Sequence, residues 1–166
     1  MKESIVYRLQ YQPESLEILL TSLNETDAHN RPLKDKWSIF ENLAHLGRYQ
    51  EIFISRIQQI LQGQNPSFQR YVAEEDPGFE SWRMKPFNQV IWDFNQIRSK
   101  INVKLKTIPD EKLDHTGIHP VYGTLNIEGW AEFFLLHEAH HFFAIFKLAA
   151  LIRPQGQVPE LNKSPE

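Results

Sequence analysis

The sequence predicts an all-α protein that folds as a four-helix bundle with a long connection between its second and third helices. Three observations lead to this prediction. Four segments repeat apolar residues at spacings of three and four, which is the period of one helix face. Runs containing glycine and proline separate these segments, and no segment shows the alternation of apolar and polar residues typical of a strand. A chain of 166 residues suits one domain with a single sizeable core.

The first and third helices are predicted mainly from their apolar spacing. The first is expected over residues 4–27, with a kink near Pro13, because proline disrupts a helix interior. The third is expected over residues 86–106. The residues that define the two apolar faces are Leu16, Leu19, Leu20 and Leu23 in the first helix and Val90, Phe94, Ile97, Ile101 and Leu105 in the third.

The second and fourth helices also carry signals at their starts. The second is expected over residues 38–62, where Ser38 and Glu41 have the spacing of a capping box. The fourth is expected over residues 126–152, with Asn126 as its N-cap. Each start is therefore predicted from a side chain that can accept hydrogen bonds from backbone N–H groups.

The connections predict the limits of the domain. Gly63 suits the left-handed residue that ends many helices. The polar stretch that follows is long enough for a crossover or a short additional helix. Residues 1–153 are predicted to form the bundle, and residues 154–166, which contain three prolines, are predicted to be an extended or mobile tail.

The composition excludes several classes of protein. There is no cysteine, so disulfides, zinc-thiolate sites and cysteine nucleophiles are excluded. The net charge is −3 and the basic residues do not cluster, so no nucleic-acid partner is expected. No uninterrupted apolar run approaches the length that spans a membrane, and the N-terminus lacks the apolar core of a signal peptide. We therefore expect a cytoplasmic protein with neither a membrane nor a nucleic acid as its partner.

Three histidines are predicted to face the interior of the bundle. His137 and His141 are four residues apart, so their side chains lie about 40° apart on one helix face. His45 lies beside the apolar face of the second helix. Buried imidazoles must find polar partners, so these three side chains either form hydrogen bonds or hold a divalent metal. Three nitrogen ligands from two helices are typical of a catalytic metal site, which keeps open positions.

Other polar residues near these histidines have less specific patterns. The stretch HEAHH matches the zinc-protease pattern HExxH, although its surroundings do not indicate a protease. Glu138 and His140 are predicted to lie on the flanks of the helix. Glu41 lies one turn before His45, where it can accept a hydrogen bond from that ligand, act as a general base, or only cap the helix. His119 is predicted to be a loop residue that can line a cleft above the fourth helix.

The assembled motifs resemble the DinB-like superfamily of four-helix metalloproteins. The stretch KWSIFENLAHLGRYQ is similar to the second-helix signature of that family, which places a histidine seven residues after a serine. The stretch HPVYGTLNIEGW is similar to the lead-in to its last helix, and HEAHH is similar to its His-x-x-His-His ending. At the level of helix order, the resemblance covers the whole chain.

The resemblance implies a metal site and a group of reactions. It implies one divalent metal on His45, His137 and His141, with Zn or Ni expected first and Mn or Fe as alternatives. Activities in the family include thiol S-transferases, such as bacillithiol transferases, and mycothiol-dependent maleylpyruvate isomerase. The resemblance therefore implies a small-molecule substrate, with a low-molecular-weight thiol as one candidate. It also implies a homodimer.

Three hypotheses about function stay open at this point. The first is a metal-dependent enzyme, either a thiol S-transferase or a hydrolase, with Glu41 as a candidate catalytic residue. The second is a metal-binding or stress-response protein of the same fold without efficient catalysis. The third is a helical interaction module without metal. Metal analysis of the purified protein separates the third hypothesis from the other two, and a thiol-conjugation assay separates the first from the second.

Overall fold

The computed structural model, which describes residues 1–153, contains seven α-helices, two 3₁₀ helices (Ala73–Glu75 and Asp110–Lys112) and one short hairpin. The predicted tail at residues 154–166 lies outside the described residues. The helices are α1 (Glu3–Tyr11), α2 (Glu14–Leu20), α3 (Glu25–His29), α4 (Ile39–Ile60), α5 (Pro77–Arg83), α6 (Phe87–Lys106) and α7 (Ile127–Ile152), and the strands are β1 (Thr116–His119) and β2 (Gly123–Asn126).

The prediction of one long first helix is wrong. The segment forms α1, α2 and α3, and the break between α1 and α2 falls at Gln12 and Pro13, where the sequence predicted a kink. After α2, Ser22 adopts a φ of 68°, which an α-helix does not allow. Asn24 then starts α3 with a capping box that includes Asp27. The leucine spacing survives these breaks because the short helices still turn one apolar face toward the bundle.

The predicted starts of the second and fourth helices are confirmed. Ser38 Oγ accepts a hydrogen bond from Glu41 N at 3.1 Å, and the Glu41 carboxylate accepts one from Ser38 N at 2.9 Å. Asn126 Oδ1 accepts a hydrogen bond from Gly129 N at 2.9 Å, at the start of α7. Gly63 follows α4 with a φ of 77°, as the left-handed position requires.

The expectation that the chain contains no strands is wrong, because β1 and β2 form an antiparallel hairpin. The connection after α4 joins its edge, since Phe68 N donates to Ile118 O at 3.0 Å and Ile118 N donates to Pro66 O at 2.8 Å. Each strand has only four residues, which is too short for alternation to stand out. The hairpin and the connection together cover one side of the bundle.

The long connection does contain the short additional helix for which the sequence left room. This helix, α5, packs closely on α4 at Gly47. A Cβ atom at Gly47 would lie 2.2 Å from the Trp82 ring, so only glycine permits this approach. The contact brings Phe79, also in α5, close to the middle of α4.

Two apolar clusters fill the interior. One is centred on Phe40, Trp82 and Phe94, and the other on Phe53 and Phe134. Helix α4 packs against α6 and α7, and α1 also packs against α6 and α7, so the four predicted segments form the predicted bundle. Along α7, the buried Glu138 lies between the residues of the two clusters.

Helix α7 is more apolar than its role in a bundle requires. Its exposed face carries Leu136, Phe143 and Phe146, each at least half exposed. By length and composition alone, α7 could cross a membrane, although core helices of soluble proteins can meet the same criterion. The sequence analysis did not expect this because histidines and glutamates interrupt every apolar run in the segment.

Candidate metal centre

Three histidine side chains meet between α4 and α7. His45 comes from α4, and His137 and His141 come from successive turns of α7. His45 Nε2 lies 3.1 Å from His137 Nε2. One ring nitrogen from each of the three residues lies within 4.8 Å of the others. The structure therefore brings together the three residues that the sequence analysis selected.

Burial keeps all three imidazoles neutral. It lowers the pKa of His45 to about 4. Burial together with the neighbouring histidines lowers the pKa of His137 to about 3 and that of His141 to about 2. A neutral imidazole has a lone pair on one ring nitrogen, which is the form that binds metal ions. The cluster is thus in the ligand-competent state at neutral pH.

A chain of hydrogen bonds sets the orientation of His141. Asn42 Nδ2 donates to the Ser38 carbonyl at 2.8 Å, so Asn42 Oδ1 is left as the acceptor that faces His141. His141 Nδ1 lies 2.8 Å from this oxygen and must therefore carry the proton. In the neutral ring, His141 Nε2 then keeps its lone pair. This is the arrangement by which neighbouring groups orient a metal-binding histidine.

The geometry of the cluster fits a divalent metal. At a metal–nitrogen distance of about 2.0–2.1 Å, two tetrahedral ligand atoms lie about 3.3 Å apart. The Nε2 atoms of His45 and His137 are 3.1 Å apart, close to this value. The Nδ1 atoms of these two residues are buried without a hydrogen-bond partner among the described residues. The group contains three nitrogen donors and neither a carboxylate nor a thiolate.

A cavity of about 750 Å³ opens next to the histidines. It lies between α4, α7, the connection after α4 and the turn of the hairpin, and it is walled largely by aromatic rings. These include Trp37, Tyr49, Tyr71, Tyr122 and Phe133. The Tyr49 ring lies 4.1 Å from the His137 ring, and the Trp37 ring lies 4.9 Å from the His45 ring. Trp37 and Tyr49 therefore line the cavity next to the histidine rings.

A second, smaller cavity lies on the other side of His141. Its volume is about 350 Å³, and it shares Trp37, His140 and His141 with the larger cavity. Lys36 and Lys147 also line it. Of the three clustered histidines, His141 therefore borders both cavities.

Glu41 lies in a different environment from the one a catalytic role would need. Its carboxylate caps α4 through Ser38 and forms ion pairs with Arg31 and with Arg83, the latter at 3.3 Å. It is not among the residues that line the cavity beside His45. These contacts hold the pKa of Glu41 below its usual value even though burial acts to raise it. The capping role is seen, and catalysis by Glu41 stays a prediction.

The expected position of Glu138 on the helix flank is wrong. Glu138 is fully buried. Its carboxylate accepts a hydrogen bond from Gln12 Nε2 at 2.9 Å and forms an ion pair with Arg98. It points toward α1 and α6, away from the histidine cluster. The HExxH match therefore does not place a general base at the site. Arg98 on α6 is the partner that the sequence analysis did not identify.

The other histidines divide between solvent and the cavity wall. His140 is exposed at the edge of both cavities and is not part of the three-histidine group, as its angle on α7 predicted. His119 is buried in β1 rather than in a loop, and it lines the larger cavity as expected. Its Nδ1 atom accepts hydrogen bonds from the backbone N–H groups of Val121 and Tyr122, both at 3.1 Å.

Two important residues escaped the sequence analysis. Asn42 could have been found, because it lies three residues before His45 and so shares its side of the helix. Arg56 is only 8% exposed and lines the larger cavity. A single arginine on an amphipathic helix usually faces solvent, so no sequence signal distinguishes this residue.

Comparisons with known proteins agree with the predicted family and with the fold. The sequence profile of the DinB superfamily matches residues 8–144. A search of curated proteins finds no match. Among solved structures, the fold is similar to YfiT from Bacillus subtilis, described as a probable metal-dependent hydrolase with an unusual four-helix bundle topology. The TM-score is 0.74 at 14% identity, and the match covers 90% of this chain and 88% of that chain.

Proposed function

The chain belongs to the DinB superfamily, and we propose that it is a metal-dependent enzyme that transfers a low-molecular-weight thiol to a small electrophile. His45, His137 and His141 hold one divalent ion in this proposal, with Zn or Ni as the first candidates and Mn or Fe as alternatives. The observation that carries the proposal is the cluster of three neutral imidazoles beside an aromatic cavity.

The metal part of the proposal rests on the chemistry of the donors. A divalent ion on three neutral imidazoles supplies a Lewis acid that lowers the pKa of a coordinated water or thiol. The hydrogen bond with Asn42 places the proton of His141 on Nδ1 and so leaves the lone pair on Nε2 for a metal. The aromatic walls of the cavity present flat apolar surfaces to a substrate. The chain has no cysteine, so the reacting thiol belongs to the substrate.

Hydrolysis is the second candidate reaction. Its support is the fold shared with YfiT, which is described as a probable metal-dependent hydrolase. The same donors and the same cavity suit a water nucleophile as well as a thiol. A metal-binding protein without efficient catalysis is the remaining alternative for this site, and it differs from both enzymes only in turnover.

Metal analysis and conjugation assays on purified protein test the proposal. We expect close to one divalent ion per chain, and we expect metal-dependent conjugation of a chromogenic electrophile with at least one thiol from a panel of cysteine, glutathione and bacillithiol. A chromogenic ester tests hydrolysis in parallel. His45→Ala should lose both the metal and the activity, because the remaining two ligands come from one helix.

His29→Ala provides a matched control, since His29 is exposed and lies outside the cluster. It should keep the metal and the activity of the parent. Protein with a full complement of metal but without turnover in either assay would support the non-catalytic alternative. Parent protein that retains no metal would rule out both enzyme candidates. Homodimerisation and a cytoplasmic location stay predictions, and sedimentation analysis of the same preparation tests the first.

A further inference from the structure

The wall of the larger cavity contains a positive charge that the three-histidine site does not require. Arg56 projects from α4 into this wall and is only 8% exposed. Its hydrogen bonds go to Tyr49 Oη at 3.4 Å and to the Gln69 carbonyl at 3.0 Å, both neutral groups. None of the ion pairs among residues 1–153 includes Arg56.

This absence of a counter-charge is unusual for a buried arginine. Buried charged groups are normally paired, because transfer of a charge from water into a protein interior is unfavourable. An arginine has five N–H donors, and two of those of Arg56 have acceptors among the described residues. The guanidinium group thus keeps both its charge and three N–H donors for something else. The other buried arginine on a core helix, Arg98, is paired with Glu138.

His119 adds a fixed neutral donor next to this charge. Its Nδ1 atom accepts hydrogen bonds from two backbone N–H groups, which can only donate. The Nδ1 atom therefore carries no proton, and in the neutral ring the proton lies on Nε2. The His119 ring lies 5.4 Å from the Trp130 ring, and Arg56 Cζ lies 5.6 Å from the same indole. The two donors thus pack on one aromatic side chain in the same cavity wall.

We propose that Arg56 and His119 form an anion subsite that binds a carboxylate group of the substrate. The planar guanidinium group matches the two oxygens of a carboxylate, and His119 Nε2–H supplies a further donor. One buried positive charge balances one negative charge, which favours a carboxylate over a phosphate dianion. The exposed lining residues Arg70 and Glu74 carry opposite charges, so the rim of the cavity adds no net charge to that of Arg56.

The position of the subsite relates the carboxylate to the reacting end of the substrate. Tyr49 contacts Arg56 through its hydroxyl group, and its ring lies 4.1 Å from the His137 ring. One tyrosine side chain therefore separates the anion subsite from the three histidines. The inference rests on the proposed function in taking this cavity as the substrate site, and it narrows the substrate class to small organic acids.

Calorimetric titration with two matched probes tests the subsite without turnover. Hydrocinnamate carries a carboxylate two methylene groups away from a phenyl ring, and hydrocinnamide has the same shape without the charge. We expect the parent to bind the carboxylate at least about tenfold more tightly than the amide, as charge-assisted hydrogen bonds imply. Arg56→Met should remove this preference and leave binding of the amide unchanged.

The matched control is Arg70→Met, which removes the same charge from an exposed residue at the same cavity. It should change the preference by no more than about twofold, because an exposed charge is screened by solvent. If Arg56→Met does not fold by circular dichroism, Arg56→Lys and His119→Phe replace it. Each should weaken hydrocinnamate by about threefold or more, since the first loses the planar fork and the second loses the Nε2 donor.

Several results would overturn the subsite. The first is equal binding of hydrocinnamate and hydrocinnamide by the parent. The second is a preference for hydrocinnamate that Arg70→Met removes and Arg56→Met retains. Tighter binding of the matching phosphonate would reject the carboxylate. The titrations are run with zinc-loaded and with chelated protein. The carboxylate would bind the metal instead if chelation abolished the preference for hydrocinnamate over hydrocinnamide and Arg56→Met retained it.

The carboxylate can belong to the thiol or to the electrophile, and a second titration tells these sources apart. If zinc-loaded protein prefers mercaptopropionate to mercaptopropanol, and this preference depends on Arg56, the carboxylate belongs to the thiol. If the two thiols bind equally, the carboxylate belongs to the electrophile. The probes require no reaction. If the protein shows no turnover but prefers the carboxylate through Arg56, the proposed function is rejected and the subsite is kept. If the protein shows turnover but has no such preference, the proposed function is kept and the subsite is rejected.

Discussion

Helix α7 presents two neighbouring residues to two different polar clusters. His137 faces α4 and joins His45 and His141 beside the open cavity. Glu138 faces α1 and α6, where Arg98 and Gln12 contact its carboxylate. The first cluster is neutral and borders a cavity, whereas the second pairs a positive with a negative charge and is closed to solvent. The histidine cluster is therefore suited to binding a ligand such as a metal ion, whereas the Glu138–Arg98 pair joins α7 to α6.

The two clusters also differ in what surrounds them. Arg98 Cζ lies 4.8 Å from the Phe134 ring, and Arg98 and Glu138 are each at most 3% exposed. The histidines instead border a cavity of about 750 Å³. A closed ion pair can change its partners only if the bundle opens. The histidine cluster can exchange a ligand while the fold stays intact.

The largest expected effect is on stability, at the closed cluster. Glu138→Leu should reduce the free energy of unfolding by about 3–5 kcal/mol, because it leaves the Arg98 charge buried without a partner. Urea denaturation measures the loss. The double variant Glu138→Leu with Arg98→Met should recover most of it, since an apolar pair removes both charges. If the single variant matched the parent in stability and instead lost metal, Glu138 would belong to the histidine cluster.

Metal should stabilise the open cluster by a comparable amount. A metal that binds only the folded chain, at a thousandfold excess over Kd, stabilises it by about 4 kcal/mol. For a domain of this size, Tm should rise on the order of 10 °C. Melting curves with chelator and then with added zinc measure the shift. The shift should be absent in His45→Ala, and a shift that persisted there would mean that α4 contributes no ligand.

A smaller effect is expected from the hydrogen bond that orients His141. Asn42→Ala should weaken metal binding about 10- to 100-fold, the usual loss when a group that orients a ligand is removed. Competition with a chromogenic chelator measures the affinity. Asn88→Ala, on the exposed surface of α6, is the matched control and should behave like the parent. An unchanged affinity in Asn42→Ala would mean that packing alone orients His141.

The smallest effect is expected next to His141. His140→Ala should retain the metal and change stability by no more than about 0.5 kcal/mol, because its side chain is exposed and outside the cluster. His141→Ala should lose the metal. Elemental analysis of the two variants side by side makes this comparison. Equal loss in both would mean that the two adjacent histidines share the site.

Local patterns in the sequence were sufficient for much of the fold. The family resemblance is confirmed by the superfamily match. Ser38 and Asn126 start their helices as predicted, because a cap depends on residues within one turn. The i,i+4 spacing of His137 and His141 placed both rings on one face for the same reason. The interruption near Pro13 was predicted, but the break at Ser22 and the hairpin were missed, since single turn residues and strands of four residues give weak periodic signals.

The sequence by itself determined the helix faces, the capped ends and the three histidines that meet, because each of these follows from the fixed rise and rotation of a helix. Only the tertiary structure decided the partners of the other polar residues. Glu138 pairs with Arg98 across 40 residues of sequence, while Arg56 has no carboxylate partner among the described residues. Pairing between helices depends on their relative rotation and depth in the bundle, which packing of the whole core sets.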